Sequence, residues 1–176
     1  MYASLIPLLS YPTPAMPAAA AACHAAIGAG HEQASAWLRA FAEGAALRSQ
    51  QELEEEYTAA FDLDPGCALD LGWHLFGDDR RRGAFLAKLQ GEMDRAGVAP
   101  GQQLPDHLTH VLALLERMDE TAADRFAVSC VIPAVRQIVV ALEQRNSLYL
   151  PCYRALSALL TTRHAAKGET HARHGS

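Results

Sequence analysis

Apolar residues recur along most of the chain at the three- and four-residue intervals that place them on one face of an α-helix. Glycine, proline and aspartate separate these runs and indicate short connecting loops. No segment alternates apolar and polar residues in the manner of a half-buried strand. The pattern therefore predicts an all-α, single-domain helical bundle of about eight or nine helices, at residues 2–9, 14–28, 31–44, 47–61, 67–76, 79–96, 105–118, 122–144 and 148–162.

The segment 105–118 shows this periodicity most clearly. Pro105 is suited to a first helical turn, and the carboxylate of Asp106 is favoured there by the helix dipole. His107 and His110 fall on the side opposite the apolar stripe. The stripe comprises Leu104, Leu108, Val111, Leu112, Leu115 and Met118.

The segment 122–144 has the longest apolar seam and is predicted to be the central helix. Thr121 and Asp124 have the spacing of a capping box at its start. Pro133 lies inside the seam, where it removes one backbone hydrogen bond, so a kink is expected there. The seam comprises Val128, Val131, Ile132, Val135, Ile138, Val139 and Leu142.

The last residues of the chain, 164–176, lack apolar periodicity. Such a segment buries too little apolar surface to offset the entropy lost on ordering, so residues 1–163 are predicted to form the helical domain and 164–176 a disordered tail. Its histidines, His164, His171 and His174, are interpreted as solvated side chains rather than as a weak metal site.

Composition and charge narrow the possible functions. The 176 residues carry a formal net charge of −5 and no basic stripe, which argues against a nucleic-acid partner. No run approaches about 18 uncharged apolar residues, and no basic residue precedes the apolar start, so a cytoplasmic protein is expected. The widely spaced Cys23, Cys67, Cys130 and Cys152 are expected to be buried, reduced thiols that hold no metal.

Catalytic motifs are not found in the sequence: it has no phosphate-binding glycine loop, no Gly-x-Ser-x-Gly and no His-Glu-x-x-His. One enzymatic alternative stays open. Asp106, His107, His110 and His74 provide ligand types that a helical metal-dependent hydrolase would need. This alternative requires the four side chains to converge from different helices.

Several short motifs occur together over about 150 residues. Together they resemble the nitrate reductase molybdenum cofactor assembly chaperones, the delta-subunit or NarJ-type family within the TorD-like group, in which such motifs occur in the same order and at the same spacing. The motifs are Leu8–Pro12 (LLSYP), Tyr57 with Phe61 and Asp62, His74, Gly77, Arg80, Arg82 with Gly83, Leu104–Leu108 (LPDHL) and Gln144–Tyr149 (QRNSLY).

The resemblance implies a TorD-like helical bundle that binds the N-terminal peptide of an apo catalytic (alpha) subunit and is not itself an enzyme. It also implies help with insertion of the bis-molybdopterin guanine dinucleotide cofactor before the reductase docks at the membrane, with no cofactor stably bound to the chaperone. The expected contact region for the client peptide is Tyr57, Phe61, Asp62, His74, Arg80, Asp106 and His107.

A run of glutamates precedes the expected contact region: Glu52, Glu54, Glu55 and Glu56. It is interpreted either as an acidic rim beside an apolar groove for a basic, leucine-rich peptide or as a solvated helix face. A third role, a structural partner that remains in the assembled reductase, is also compatible with the sequence. Which molybdenum enzyme is the client is left open.

Overall fold

The computed structural model describes residues 1–27, 30–99 and 101–165. Within these ranges the chain consists of helices joined by turns and loops, and the one strand-like pairing is an isolated bridge between Asp70 and His107. The all-α fold class is thus confirmed. The α-helices are α1 (Met16–Ile27), α2 (Glu32–Ala46), α3 (Gln50–Tyr57), α4 (Leu71–Phe76), α5 (Arg81–Ala96), α6 (Leu108–Leu115), α7 (Glu120–Phe126), α8 (Ile132–Gln144) and α9 (Leu150–Leu160).

A single apolar core joins these helices. Helix α9 lies in its middle and packs against α2 and α8, and the apolar residues of the N-terminal 3-10 turns Tyr2–Ser4 and Ile6–Leu8 close one side. The seam predicted for the central helix supplies much of the core, although Val128 is exposed and Val139 is only half-buried. The buried seam residues are Val131, Ile132, Val135, Ile138 and Leu142.

Pro133 is accommodated by a change of helix type. A π-helical turn, Ala127–Val131, lies between α7 and α8, and Pro133 falls in the first turn of α8. Pro133 has no N–H to donate to the preceding turn of this continuous helix, and the π turn beside it changes the hydrogen-bond register there. The expected disturbance at Pro133 therefore takes the form of a π turn in a helix that continues from Glu120 to Gln144.

This long helix begins earlier than predicted. Asp119 is its N-cap, and the Asp119 side chain accepts a hydrogen bond from the amide of Ala122. The predicted capping box of Thr121 and Asp124 is wrong, because Asp124 instead hydrogen-bonds to His164. By length and composition alone the helix could cross a membrane, but its apolar seam packs into the core.

The described chain ends in another π turn, Thr161–Ala165, which extends α9 two residues beyond the predicted domain end at residue 163. His164 was expected to be solvated, yet its side chain is only 2% exposed. Its ring nitrogens lie 2.6 Å from the Asp124 carboxylate and 2.9 Å from the Tyr2 hydroxyl, and these polar partners compensate its burial. The tail prediction for residues 166–176, including His171 and His174, lies outside the described residues.

Candidate functional site

The loop that contains Asp106 and His107 runs beside the segment that leads into α4. The amide of Leu108 donates to the carbonyl of Leu69 at 2.8 Å, and the amide of Leu71 donates to the carbonyl of Asp106 at 2.9 Å. These hydrogen bonds form the bridge between Asp70 and His107. Two loops that are distant in sequence are thereby fixed side by side.

The carboxylate of Asp106 stabilises this junction from inside. It is fully buried, and its Oδ2 accepts a hydrogen bond from the amide of Gly72 at 2.9 Å and lies 3.8 Å from Nε of Arg82. Burial, with the nearby carboxylate of Asp70, raises the pKa of Asp106. Asp106 therefore precedes α6 and caps the first turn of α4, and the prediction that it lies in the first turn of its own helix is wrong.

His107 is the N-cap of α6 and is nearly buried. Its Nδ1 accepts a hydrogen bond from the Thr109 amide and lies 2.8 Å from the Thr109 hydroxyl. Burial lowers the pKa of His107, so the neutral imidazole that can accept these bonds is favoured. Helix α6 is consequently shorter than the predicted segment 105–118.

Tyr57 and Phe61 come from the end of α3 and the π turn Thr58–Asp62 that follows it. Their ring centroids are 4.8 Å apart, and each packs edge-on against Tyr149 of the α9 N-cap. Both rings are buried, and burial raises the pKa of Tyr57. Asp62, at the end of the π turn, is exposed. One helix end thus presents an aromatic surface and a carboxylate.

These parts enclose a cleft of about 380 Å³, here called the acidic cleft. Four of the seven predicted contact residues line it: Tyr57, Phe61, Asp62 and His107. Its lining includes two carboxylates, those of Asp62 and Asp70, and no lysine or arginine among the described residues. The remaining lining residues are Ser10, Tyr11, Ala68, Leu69, Asp70, Gln103 and Thr109.

Comparison with known proteins identifies the family of this chain. The sequence profile of the family described as nitrate reductase delta subunit matches residues 24–153. The chain belongs to this family. A relative from Bacillus subtilis (strain 168), named a probable nitrate reductase molybdenum cofactor assembly chaperone NarJ, is 28% identical over 132 residues, 74% of this chain and 71% of the relative. Membership places the chain among assembly chaperones rather than among enzymes.

Three residues that the sequence assigned to the contact region of this delta-subunit family member do not line the acidic cleft. Asp106 lies beneath it. His74 borders a separate open groove with Trp73 and Gln137, and its Nε2 lies 2.7 Å from the carbonyl of Ala68. Arg80 is exposed at the start of α5 and is absent from the cleft lining.

The sequence analysis missed five polar or aromatic residues of the cleft: Ser10, Tyr11, Asp70, Gln103 and Thr109. Tyr11 had a usable signal, since it belongs to the LLSYP motif, and its ring packs 5.4 Å from that of Tyr57. Asp70 and Thr109 reach the cleft through the pairing of the two loops, and no local pattern marks such pairing.

The four residues of the hydrolase alternative do not form one cluster in this delta-subunit chain, although the rings of His107 and His110 lie 6.0 Å apart, centroid to centroid. The Asp106 carboxylate faces Gly72 and Arg82, while the ring nitrogens of His74 and His110 face the carbonyls of Ala68 and Leu104. In the parts of the chain that the structure describes, no three His, Cys, Asp or Glu side chains are grouped to hold a metal ion. The arrangement gives the hydrolase interpretation no support.

The glutamate run of α3 is largely engaged in local contacts. Glu52 completes a capping box with Ser49, and Glu56 lies 3.7 Å from Nε of Arg48. Glu54 and Glu55 accept hydrogen bonds from the glutamines four residues earlier. None of the four glutamates lines the acidic cleft, whose charge comes from Asp62 and Asp70.

Proposed function

We propose that this chain is a cytoplasmic chaperone that binds the N-terminal peptide of the apo catalytic subunit of a respiratory nitrate reductase or a related molybdoenzyme. Binding keeps the subunit receptive to its bis-molybdopterin guanine dinucleotide cofactor and delays membrane docking. Membership of the delta-subunit family supports this proposal, as does the name of the Bacillus subtilis relative, which specifies molybdenum cofactor assembly.

One observation favours the acidic cleft as the binding surface for the peptide: this cleft combines aromatic walls with uncompensated negative charge. Asp70 is paired with Arg82 at 3.3 Å, but within the described residues the carboxylate of Asp62 has no hydrogen bond or ion pair. The ring of Tyr11 is about half exposed, at 51%. An apolar peptide that carries lysine or arginine suits such a cleft, because carboxylates and aromatic faces both attract cations.

The other predicted contact residues take different roles in this proposal. Asp106 is a positioning residue, since its buried carboxylate holds the loop that carries His107. His74 and Arg80 meet the client only where the bound peptide extends beyond the acidic cleft. The peptide therefore makes its anchoring contacts with Tyr11, Tyr57, Phe61 and Asp62.

Isothermal titration with the N-terminal peptide of the reductase catalytic subunit tests the proposal. Asp62→Asn should weaken binding by about two- to fivefold, the range of one exposed ion pair. Asp78→Asn, which neutralises another exposed carboxylate outside the cleft, should leave the affinity unchanged. Absence of saturable heat with wild-type protein up to about a millimolar peptide would contradict the proposal.

One alternative role is that of a permanent structural subunit, because the family is described as a nitrate reductase delta subunit. A structural subunit would remain in the finished enzyme, whereas a chaperone should leave after cofactor insertion. Purification of the mature membrane enzyme distinguishes these roles. Stoichiometric retention of the chain in holoenzyme would support the structural role and exclude a transient chaperone.

A further inference from the structure

A second cleft lies on another part of the molecule, between α5, α6 and the long helix that starts with α7. Helix α5 has 16 residues, and only Leu89 and Met93 are buried. Phe85 is half-buried, so much of the apolar stripe of α5 is incompletely covered. The resulting space of about 360 Å³ is here called the α5 groove, and its lining residues are Phe85, Lys88, Leu89, Glu92, Leu114, Met118, Ala122, Arg125, Phe126, Ser129 and Cys130.

The floor of the α5 groove is apolar and is shared between helices. Phe85 and Leu89 come from α5, Leu114 from α6 and Phe126 from the end of α7. Phe126 and Met118 are half-buried, which leaves part of each side chain accessible from the groove. A partner can thus gain stabilisation by removing this apolar surface from water.

The charges beside the floor are opposite in sign to those of the acidic cleft. Lys88 and Arg125 are exposed, and neither side chain has an ion-pair partner in the described part of the chain. The one carboxylate in the lining, Glu92, is paired with Arg95 at 2.7 Å. Two uncompensated cations therefore border an apolar groove on a protein whose net charge is −5.

We propose that the α5 groove docks an amphipathic helix of a partner protein, with aspartate or glutamate beside its apolar face. The opposite charges select this partner: carboxylates placed against Lys88 and Arg125 complement them while the apolar face covers the floor. The most acidic helix of this chain, α3, is not such an occupant, because its apolar residues Leu53 and Tyr57 are buried. This docking site is independent of the proposed client site.

Cys130 provides a reporter for occupancy of the α5 groove. It lines the groove and is half-buried, whereas the other three cysteines, Cys23, Cys67 and Cys152, are buried. A bound helix should slow alkylation of Cys130 by iodoacetamide. The probe is a synthetic helix with leucines at positions i, i+3, i+4 and i+7 and glutamates beside them, and the matched probe has lysine in place of each glutamate. Cys130→Ser protein gives the background reaction of the buried thiols.

The glutamate probe should protect Cys130 in the wild-type protein, and the lysine probe should not. Lys88→Glu with Arg125→Glu should weaken protection by the glutamate probe about four- to 25-fold, the combined range of two exposed ion pairs. Arg39→Glu with Arg136→Glu, which changes the net charge equally at exposed positions outside the groove, should retain protection.

Equal protection by both probes, or by neither, would overturn the proposal. Protection by anionic phospholipid vesicles but not by the glutamate probe would also overturn it, in favour of a membrane surface. If the charge-reversed variant fails to fold, as judged by circular dichroism, the two probes on wild-type protein decide alone. Titration of the same samples with the client peptide reports separately on the acidic cleft.

Discussion

The acidic cleft and the α5 groove are similar in volume but differ in what lies behind their walls. The aromatic walls of the acidic cleft belong to the core: Phe61 packs against Tyr149 and also lies 5.3 Å, centroid to centroid, from the fully buried Tyr153. The α5 groove is bounded by a helix that buries only two of its 16 residues. The proposed binding surface and the core therefore share residues in the first cleft and are formed by largely separate residues in the second.

This difference determines how each cleft can be studied. A large substitution in the aromatic wall of the acidic cleft changes the free energy of unfolding together with any affinity, so loss of binding alone is ambiguous there. Charge substitutions at Asp62, Lys88 or Arg125 avoid this problem, because all three side chains are exposed. Exposed positions away from caps and buried networks usually change stability little.

Replacing one phenylalanine in each cleft should give the largest contrast. Phe61→Ala removes a buried ring from the aromatic cluster and should lower the free energy of unfolding by about 3–5 kcal/mol. Phe85→Ala removes a half-buried ring whose centroid lies 5.3 Å from that of Phe76, and should lower it by about 1 kcal/mol. Urea denaturation followed by circular dichroism measures both changes.

Similar losses from the two phenylalanine substitutions would remove the distinction between the clefts. They would mean that α5 contributes to stability as much as the aromatic cluster does. A loss below about 1 kcal/mol for Phe61→Ala would show that the cleft wall can relax around the missing ring, since an unrelaxed cavity costs more.

Two glycines offer a matched pair of substitutions with opposite signs. An added Cβ at Gly72 would lie 2.6 Å from Oδ2 of Asp106 and 3.1 Å from Cγ of Arg82, whereas at Gly91 of α5 it would meet nothing within 4 Å. Gly72→Ala should destabilise by about 2–3 kcal/mol, because it forces the buried carboxylate away from its amide donor. Gly91→Ala should stabilise by about 0.5–1 kcal/mol, the helix preference of alanine over glycine.

Thermal unfolding scans of the two glycine variants provide the measurement. If Gly72→Ala is tolerated, the Asp106 carboxylate does not fix the loop beside α4, and its assignment as a positioning residue fails. Destabilisation by Gly91→Ala would mean that α5 is packed more closely than its exposure indicates.

The helices themselves were predictable from the sequence because a periodicity of 3.6 residues is a local property. The three π turns, Thr58–Asp62, Ala127–Val131 and Thr161–Ala165, were not, since a single inserted residue leaves the apolar pattern on either side intact. The N-cap at Asp119 was missed for a related reason. Several aspartates and threonines near a helix start have similar capping preferences, and contacts distant in sequence decide between them.

Part of the candidate site was also predictable. Tyr57, Phe61 and Asp62 follow one another on a single helix end, so their proximity requires no tertiary information. Bringing Asp70 and His107 together depends on two backbone hydrogen bonds between loops, and no sequence spacing specifies these bonds. His74 lies in α4 and Arg80 is the N-cap of α5, and both lie outside the cleft. An assignment from motifs alone could not distinguish these two residues from those that line the cleft.

His107 provides the smallest effect and the sharpest test of the junction behind the acidic cleft. Its burial lowers the folded-state pKa below the usual value of 6.5, and its Nδ1 must be unprotonated to accept the Thr109 amide. Above that pH the imidazole is neutral in both states and contributes no pH dependence. As the pH falls below it, the unfolded chain binds the proton first, so wild-type stability declines until the folded-state pKa is reached.

His107→Asn keeps an N-cap acceptor and removes the titration. Urea midpoints should therefore fall more steeply for wild type than for His107→Asn between about pH 7 and 5. Parallel curves would mean that the His107 side chain remains accessible to protons in the folded protein.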